Sequence, residues 1–434
     1  MSIDFSSLGL NIPEILLPAY GTDYSKWAVI ACDQFTSDED YWNDVEKITG
    51  DAPSTLNMIL PEVYLGRDGE EDKISTIHSK MKEYIDNGTL EKFPRGIMLV
   101  KRIAEGRSRL GFVISVDLEE YDYSEGSTSL IRATEGTVIE RIPPRLKVRQ
   151  GAGIEIPHII VLIDDPSHSI IEPLVTLEST EIYDFELMKN GGHIYGSFIE
   201  EKDLSELRDG ISNLYENALK KYGKDKAILY AVGDGNHSLA TAKAYWEEVK
   251  KDLSIEEQKS HPARFALCEI ENIHDEGIIF EAIHRVIFSK DGNSTDLIIS
   301  KLLNILNEQN GKAYIKDKGF IPQDNTFAIP FIMEDDEKLL IIENPSHNLE
   351  VGTLQNALDI IVKDLKLADI DYIHGEDMTR KLGNIKGNIG FILPPMDKGK
   401  LFPAIADSGA LPRKTFSMGE ANEKRYYIES KSII

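Results

Sequence analysis

The six residues Gly233-Asp234-Gly235-Asn236-His237-Ser238 hold the densest chemistry in this chain. They separate a short apolar run, AILYAV at Ala227–Val232, from a segment in which Leu239, Ala242, Trp246 and Val249 recur at helical spacing. Strand, glycine turn and helix in that order make an anion site. Gly233 and Gly235 let the backbone approach a ligand, and the first N–H groups of the helix point at it with the helix dipole behind them. A phosphate fits that geometry. Asp234 could then hold a divalent cation, His237 could donate to a phosphate oxygen, and Ser238 and Thr241 could add hydroxyl donors around Asn236. The alternative is an ordinary tight turn in which Ser238 or Asn236 caps the helix. The turn lacks the Lys-Ser/Thr of a Walker loop and the third glycine of the dinucleotide fingerprint.

Two other places carry polar chemistry. Leu130–Arg149 gathers Arg132, Arg141, Arg145, Lys147 and Arg149 in an otherwise acidic chain, and its diproline, Pro143-Pro144, predicts that no helix runs through it. His284-Arg285 interrupts an apolar strand-like run; substrate contact and a buried, hydrogen-bonded histidine are the two readings. No pair of histidines has metal-ligand spacing, and Cys32 and Cys268 are too few and too far apart for a disulfide framework or a zinc site.

The elements that position these residues alternate. Ile74, Ile77, Met81 and Ile85 predict a helix, Gly96–Arg102 and Leu110–Leu118 a hairpin or two adjacent strands, and His158–Asp164 a buried strand. Leu204 to Tyr222 follow an amphipathic helical pattern before the AILYAV strand. Beyond a polar break at Lys259-Ser260-His261-Pro262, strands and helices mix without alternation. The expected fold is therefore α/β of the mixed α+β kind. Its expected parts are an N-terminal extension (1–108), a phosphate-binding core (109–258) and a C-terminal α+β domain (259–434).

A net charge of −26 repels nucleic acid and anionic lipid, and no apolar run reaches the length of a membrane span. The absence of a signal-like N-terminus and the low cysteine count point to the cytoplasm.

AILYAVGDGNHSLATAKAYW resembles the Asp-Gly-His-His-Arg strand-turn-helix of ParB-like proteins, a superfamily that includes ParB nucleotide-binding domains, sulfiredoxin and free-serine kinases. Within it the chain is most similar to the SpoOJ/ParB-type domain-of-unknown-function family numbered one thousand and fifteen. The likeness extends over ACDQFTS at Ala31–Ser37, SLIRATEGTVIERIPPR at Ser129–Arg145, Ile283–Arg285, IHGED at Ile373–Asp377 and LPRKTFSMGEA at Leu411–Ala421. It implies a ParB/sulfiredoxin-like core with Asp234, Gly235 and His237 facing phosphate, and Glu135 at the place of a proton-accepting glutamate. Asn236, Ser238 and Thr134 depart from the pattern, standing where relatives carry histidine, arginine and histidine.

The resemblance implies a small-molecule kinase: Mg²⁺ on Asp234, a nucleotide (ATP or ADP) or pyrophosphate as donor, Glu135 as base, and Arg132, Arg141 and Arg145 as a cationic clamp. A free serine hydroxyl is the acceptor it suggests. A noncatalytic nucleotide-binding regulator is the alternative, and pairing with surface carboxylates is the plain reading of the arginines. DNA partitioning is disfavoured, since no basic recognition helix is visible.

Overall fold

The computed structural model describes residues 3–124, 126–290 and 293–434. Two compact units divide the chain: Met1–Ile278 with Ile405–Ala410 and Met418–Ile434, and Ile279–Ala404 with Leu411–Ser417. Both are mixed α+β.

The first unit is organised by an eleven-stranded sheet. Its hairpin joins Leu90–Ala104 to Arg107–Asp117 through Glu105 and Gly106, both at positive φ, as a two-residue turn between right-twisted strands requires. On one side of the hairpin lie His193–Glu200 and then Thr180–Glu186. On the other follow Phe265–Asn272, Ile160–Ile163, Tyr230–Asp234, Ile131–Ala133 and Tyr121–Asp122. Side chains alternate between two buried faces. Met98, Val100, Val113 and Leu267 enter a core with Trp27, Trp42, Met58 and Tyr84. Ile97, Leu99, Phe112, Ile114, Val161 and Val232 enter another, with Leu207, Ile211, Leu239 and Trp246 from the helices Ser205–Tyr222 and Asn236–Val249. Burial on both faces explains why the strands read as unbroken apolar runs.

Three expectations change. Residues 1–108 are no extension, because Glu14–Pro18 and Leu90–Ala104 pair within this sheet and the hairpin straddles residue 108. The polar break near 260 is a turn inside the unit: the next strand, Phe265–Asn272, pairs antiparallel with Arg107–Asp117 and parallel with Ile160–Ile163. The diproline begins a helix, Ile142–Arg149, instead of excluding one. Proline is tolerated in a first turn, where its missing N–H has no intrahelical acceptor.

The second unit carries an antiparallel sheet in the order Lys312–Asp317, Asp336–Glu343, Thr326–Met333, Asn388–Phe391, Phe280–Ser289 and Ala368–His374. After it the chain re-enters the first unit, where Tyr426–Tyr427 pairs with Val29–Ile30 and Lys431–Ser432 with Ile154–Glu155. Among the described residues no helix is long and apolar enough to cross a membrane.

Phe112 is fully buried in the central hairpin. Phe112→Ala is expected to cost about 3–5 kcal/mol in urea denaturation, whereas Tyr20→Ala, at a fully exposed side chain, should stay within about 0.5 kcal/mol.

Candidate functional site

Ile131–Ala133 runs parallel to Tyr230–Asp234, with Ile131 opposite Tyr230 and Ala133 opposite Val232. The two strands therefore end together, and Thr134-Glu135 emerges beside Gly233-Asp234. Three bonds stitch the emerging segments to each other. Thr134 donates its hydroxyl to the Val232 carbonyl (2.6 Å), Asn236 Nδ2 donates to Thr134 Oγ1 (3.4 Å), and the Val138 N–H donates to His237 Nε2 (3.3 Å).

The helix Asn236–Val249 starts at Gly235, which occupies the cap position at φ +77° with no side chain capping the helix. Ser238 and Asn236 are thus not caps. A Cβ on Gly235 would lie 3.0 Å from Ile159 Cα, so both its conformation and its packing require glycine. Gly233 is needed for a different reason. Its added Cβ would meet Met418 Sδ at 2.6 Å and Leu162 Cγ at 2.9 Å, so it admits the core as much as any ligand.

Asp234 accepts the Gly235 N–H through Oδ1 (2.9 Å) and pairs through Oδ2 with Lys424 (3.1 Å). Thr241 donates to the His237 carbonyl at 2.7 Å, which leaves its hydroxyl inside the helix. Beside the turn, Asn236 Oδ1 and Thr137 Oγ1 are buried without a hydrogen-bond partner. An orphaned amide oxygen calls for a donor, such as a ligand hydroxyl or amine.

The expected clamp disperses. Arg132 is buried and donates to the Ser129 and Ala227 carbonyls (2.8 Å each), the latter preceding the strand Tyr230–Asp234 at the end away from the turn. Arg145 pairs with Glu62 and donates to the Arg141 carbonyl at 2.8 Å, while Arg141 itself is exposed. His284 and Arg285 lie on the strand Phe280–Ser289 of the second unit. The Leu393 N–H donates to His284 Nδ1 (3.1 Å), and burial lowers the imidazole pKa. Arg285, fully buried, donates to Gln355 Oε1 (3.0 Å) and stacks over Tyr372.

Residues unmarked in the sequence complete the site. His158 Nδ1 lies 2.7 Å from the Tyr427 hydroxyl, and its Nε2 lies 3.2 Å from Ser238 Oγ and 3.5 Å from Asp33 Oδ2. Burial alone would drive this imidazole toward neutrality, but Asp33, with Asp234 and Glu62 behind it, raises its pKa above the ordinary value. Burial likewise works against the Asp33 charge, yet His158, Gln34 and Lys424 hold its carboxyl well below the usual carboxylate range. Asp33 belongs to the Ala31–Ser37 segment that carried part of the resemblance, and that was its only signal. His158 had none beyond its residue type, and Lys424 and Tyr427 arrive on the returning tail.

Among the described residues, no three His, Cys, Asp or Glu side chains are grouped so as to hold a metal unaided. A Mg²⁺ at this turn would need oxygens brought by a ligand beside the protein carboxylates, which is how that ion is held on transferring phosphates.

The His158–Asp33 pair predicts a pH dependence. With its folded pKa raised, His158 contributes fully below about pH 6.5 and loses that contribution as pH rises through the folded value. Asp33, depressed, contributes above about pH 4 and loses it as pH falls through its folded value. Asp33→Asn should lower the His158 pKa in an NMR titration of its Cε1 proton. An unchanged titration would show that Asp33 is not its partner.

The family described as "Protein of unknown function (DUF1015)" matches residues 16–361. No curated protein matches the chain. Among solved structures, the chain is similar to a conserved hypothetical protein from Pyrococcus furiosus (12% identity, 74% of this chain and 94% of that one, TM-score 0.36). It is similar also to a free serine kinase in complex with AMP (10%, 74% and 92%, TM-score 0.39) and to C-terminally truncated SbnI from Staphylococcus aureus (10%, 71% and 82%, TM-score 0.35).

Proposed function

Since the chain belongs to the DUF1015 family of proteins of unknown function, we propose from the geometry of its turn that it is a nucleotide-dependent small-molecule kinase. The ParB-like character of the core is part of the same proposal. The observation that carries it is the convergence of two parallel strand ends, one bearing Glu135 and the other the Asp234–Lys424 pair, at the uncapped N-terminus of Asn236–Val249.

Donor phosphates, from ATP, ADP or pyrophosphate, lie against the first N–H groups of that helix, with Lys424 as the nearby cation. Asp234, with Asp33, would hold a Mg²⁺ brought by the donor, and that ion would supply neutralisation of charge on the phosphate oxygens. Glu135 accepts the proton of the acceptor hydroxyl as its oxygen bonds to the terminal phosphorus and the bond to the leaving phosphate oxygen breaks. The orphaned Asn236 Oδ1 suits a hydroxyl or amine of either substrate. In this reading Arg132 is structural, and Arg141 and Arg145 stand on the segment that follows Glu135.

Two substitutions test the proposal. Glu135→Gln should cut turnover by about 10²–10⁴-fold while donor affinity holds, measured by mass spectrometry of phosphorylated products from a panel of small alcohols. Bound nucleotide without any product across that panel would favour the noncatalytic regulator.

Asp234→Asn should weaken nucleotide binding about ten- to hundredfold in Mg²⁺. In chelator it should strengthen binding, because Lys424 is released from its carboxylate. Calorimetry under both conditions reads the change of sign, and equal effects in the two would remove the metal from the site.

A further inference from the structure

Beside the turn, and within the first unit, lies a cavity of about 150 Å³. Its floor is apolar and deeply buried, formed by Met58, Met81, Ala152 and Ile154. Half-buried Leu65 and Val148 also line it. The charged groups on its wall are paired, Glu62 with Arg145, Glu155 with Arg149 and His158 with Asp33. An occupant of this space meets no net charge there. At one end the cavity reaches Ser238, in the first turn of the helix, and His158.

We infer that this cavity binds the apolar body of a small uncharged alcohol whose hydroxyl points toward Ser238. The inference rests on the kinase reading and names the class of its acceptor; Glu135 is not among the residues lining the cavity, so the hydroxyl must extend out of it to meet that base. A protein cavity of about 150 Å³ with an apolar lining accommodates benzene, so the body held here has about six non-hydrogen atoms, branched aliphatic or aromatic. Burial of that body supplies the binding energy, and the hydroxyl is left within one helical turn of the N–H groups assigned to phosphate. A wholly polar acceptor of serine size would leave the apolar floor unfilled. The edge of a nucleobase would face guanidinium and carboxylate groups already committed to each other.

The test uses the full chain, with benzyl alcohol as the probe, glycerol as the polar control and ADP as an independent reporter of the turn. Benzyl alcohol should bind saturably by calorimetry and raise the melting temperature, whereas glycerol should not. Ala152→Leu, which fills the floor, should weaken benzyl alcohol about tenfold or more and leave ADP affinity unchanged. Leu65→Trp closes the cavity from a half-buried position and carries the same expectation should Ala152→Leu fail to fold.

Failure of benzyl alcohol to bind better than glycerol, or binding unaffected by both substitutions, overturns the inference while ADP binding leaves the kinase reading in place. Loss of ADP in parallel with benzyl alcohol also overturns it, by assigning the cavity to the nucleobase. Absence of ADP binding with benzyl alcohol behaving as expected removes the kinase reading and keeps the cavity.

Discussion

Arg425 lies in the returning tail and is almost wholly buried. Its Nε meets Glu269 at 2.7 Å, its Nη2 meets Glu429 at 2.6 Å, and its Nη1 donates to the carbonyls of Pro157 (3.0 Å) and Tyr426 (3.1 Å). Burying a charge costs several kcal/mol unless its partners are saturated, and here every nitrogen of the guanidinium is engaged. Burial opposes its protonation, but Glu429 and Glu269 outweigh that and hold it firmly charged. The partners are well placed. Pro157 precedes His158, and Glu269 stands opposite Ile160 on the central strands. Lys424 and Tyr427 flank the arginine itself. One side chain therefore fixes the tail cation, the tail hydroxyl and the imidazole relative to the sheet, and the candidate site depends on it.

Positive charge that clusters in sequence need not cluster in space. The arginines between 132 and 149 are distributed to backbone carbonyls, to Glu62 and to Glu155, as expected in a chain with 74 acidic residues. Apart from the exposed Arg141 their burial is partial or complete, and a buried guanidinium must find acceptors wherever the fold supplies them. The cation that does reach Asp234 is a lysine nearly two hundred residues away, in the returning tail.

That contrast marks what could be read from the sequence. Strand, turn and helix around Gly233–Ser238 were legible because each is signalled within a dozen residues: an apolar run, two glycines, a 3.6-residue period. The hairpin Leu90–Asp117 was legible for the same reason, through Gly106. Unit boundaries were not, because a sheet does not announce which later strand will enter it, and Phe265–Asn272 looks the same at the start of a domain or in the middle of one. His158 and Tyr427 carry no local pattern, and Asp33 none beyond the Ala31–Ser37 likeness, since their roles exist only in long-range contacts such as the 269-residue separation of Tyr427 from His158. Pro143-Pro144 was misread for a different reason: the rule against proline in helices does not hold in the first turn.

The first unit is discontinuous, and that has a consequence for how the protein is made. A ribosome adds about 5–20 residues per second, so His158 leaves it roughly 15–50 s before Tyr427. Once Glu269 has emerged, 156 residues ahead of Arg425, the sheet can assemble, but Glu269 lacks that arginine and Asp234 lacks its lysine. The nascent chain thus holds two carboxylates still without their tail partners, and the site is complete only when the segment bearing Lys424 and Arg425 closes over it.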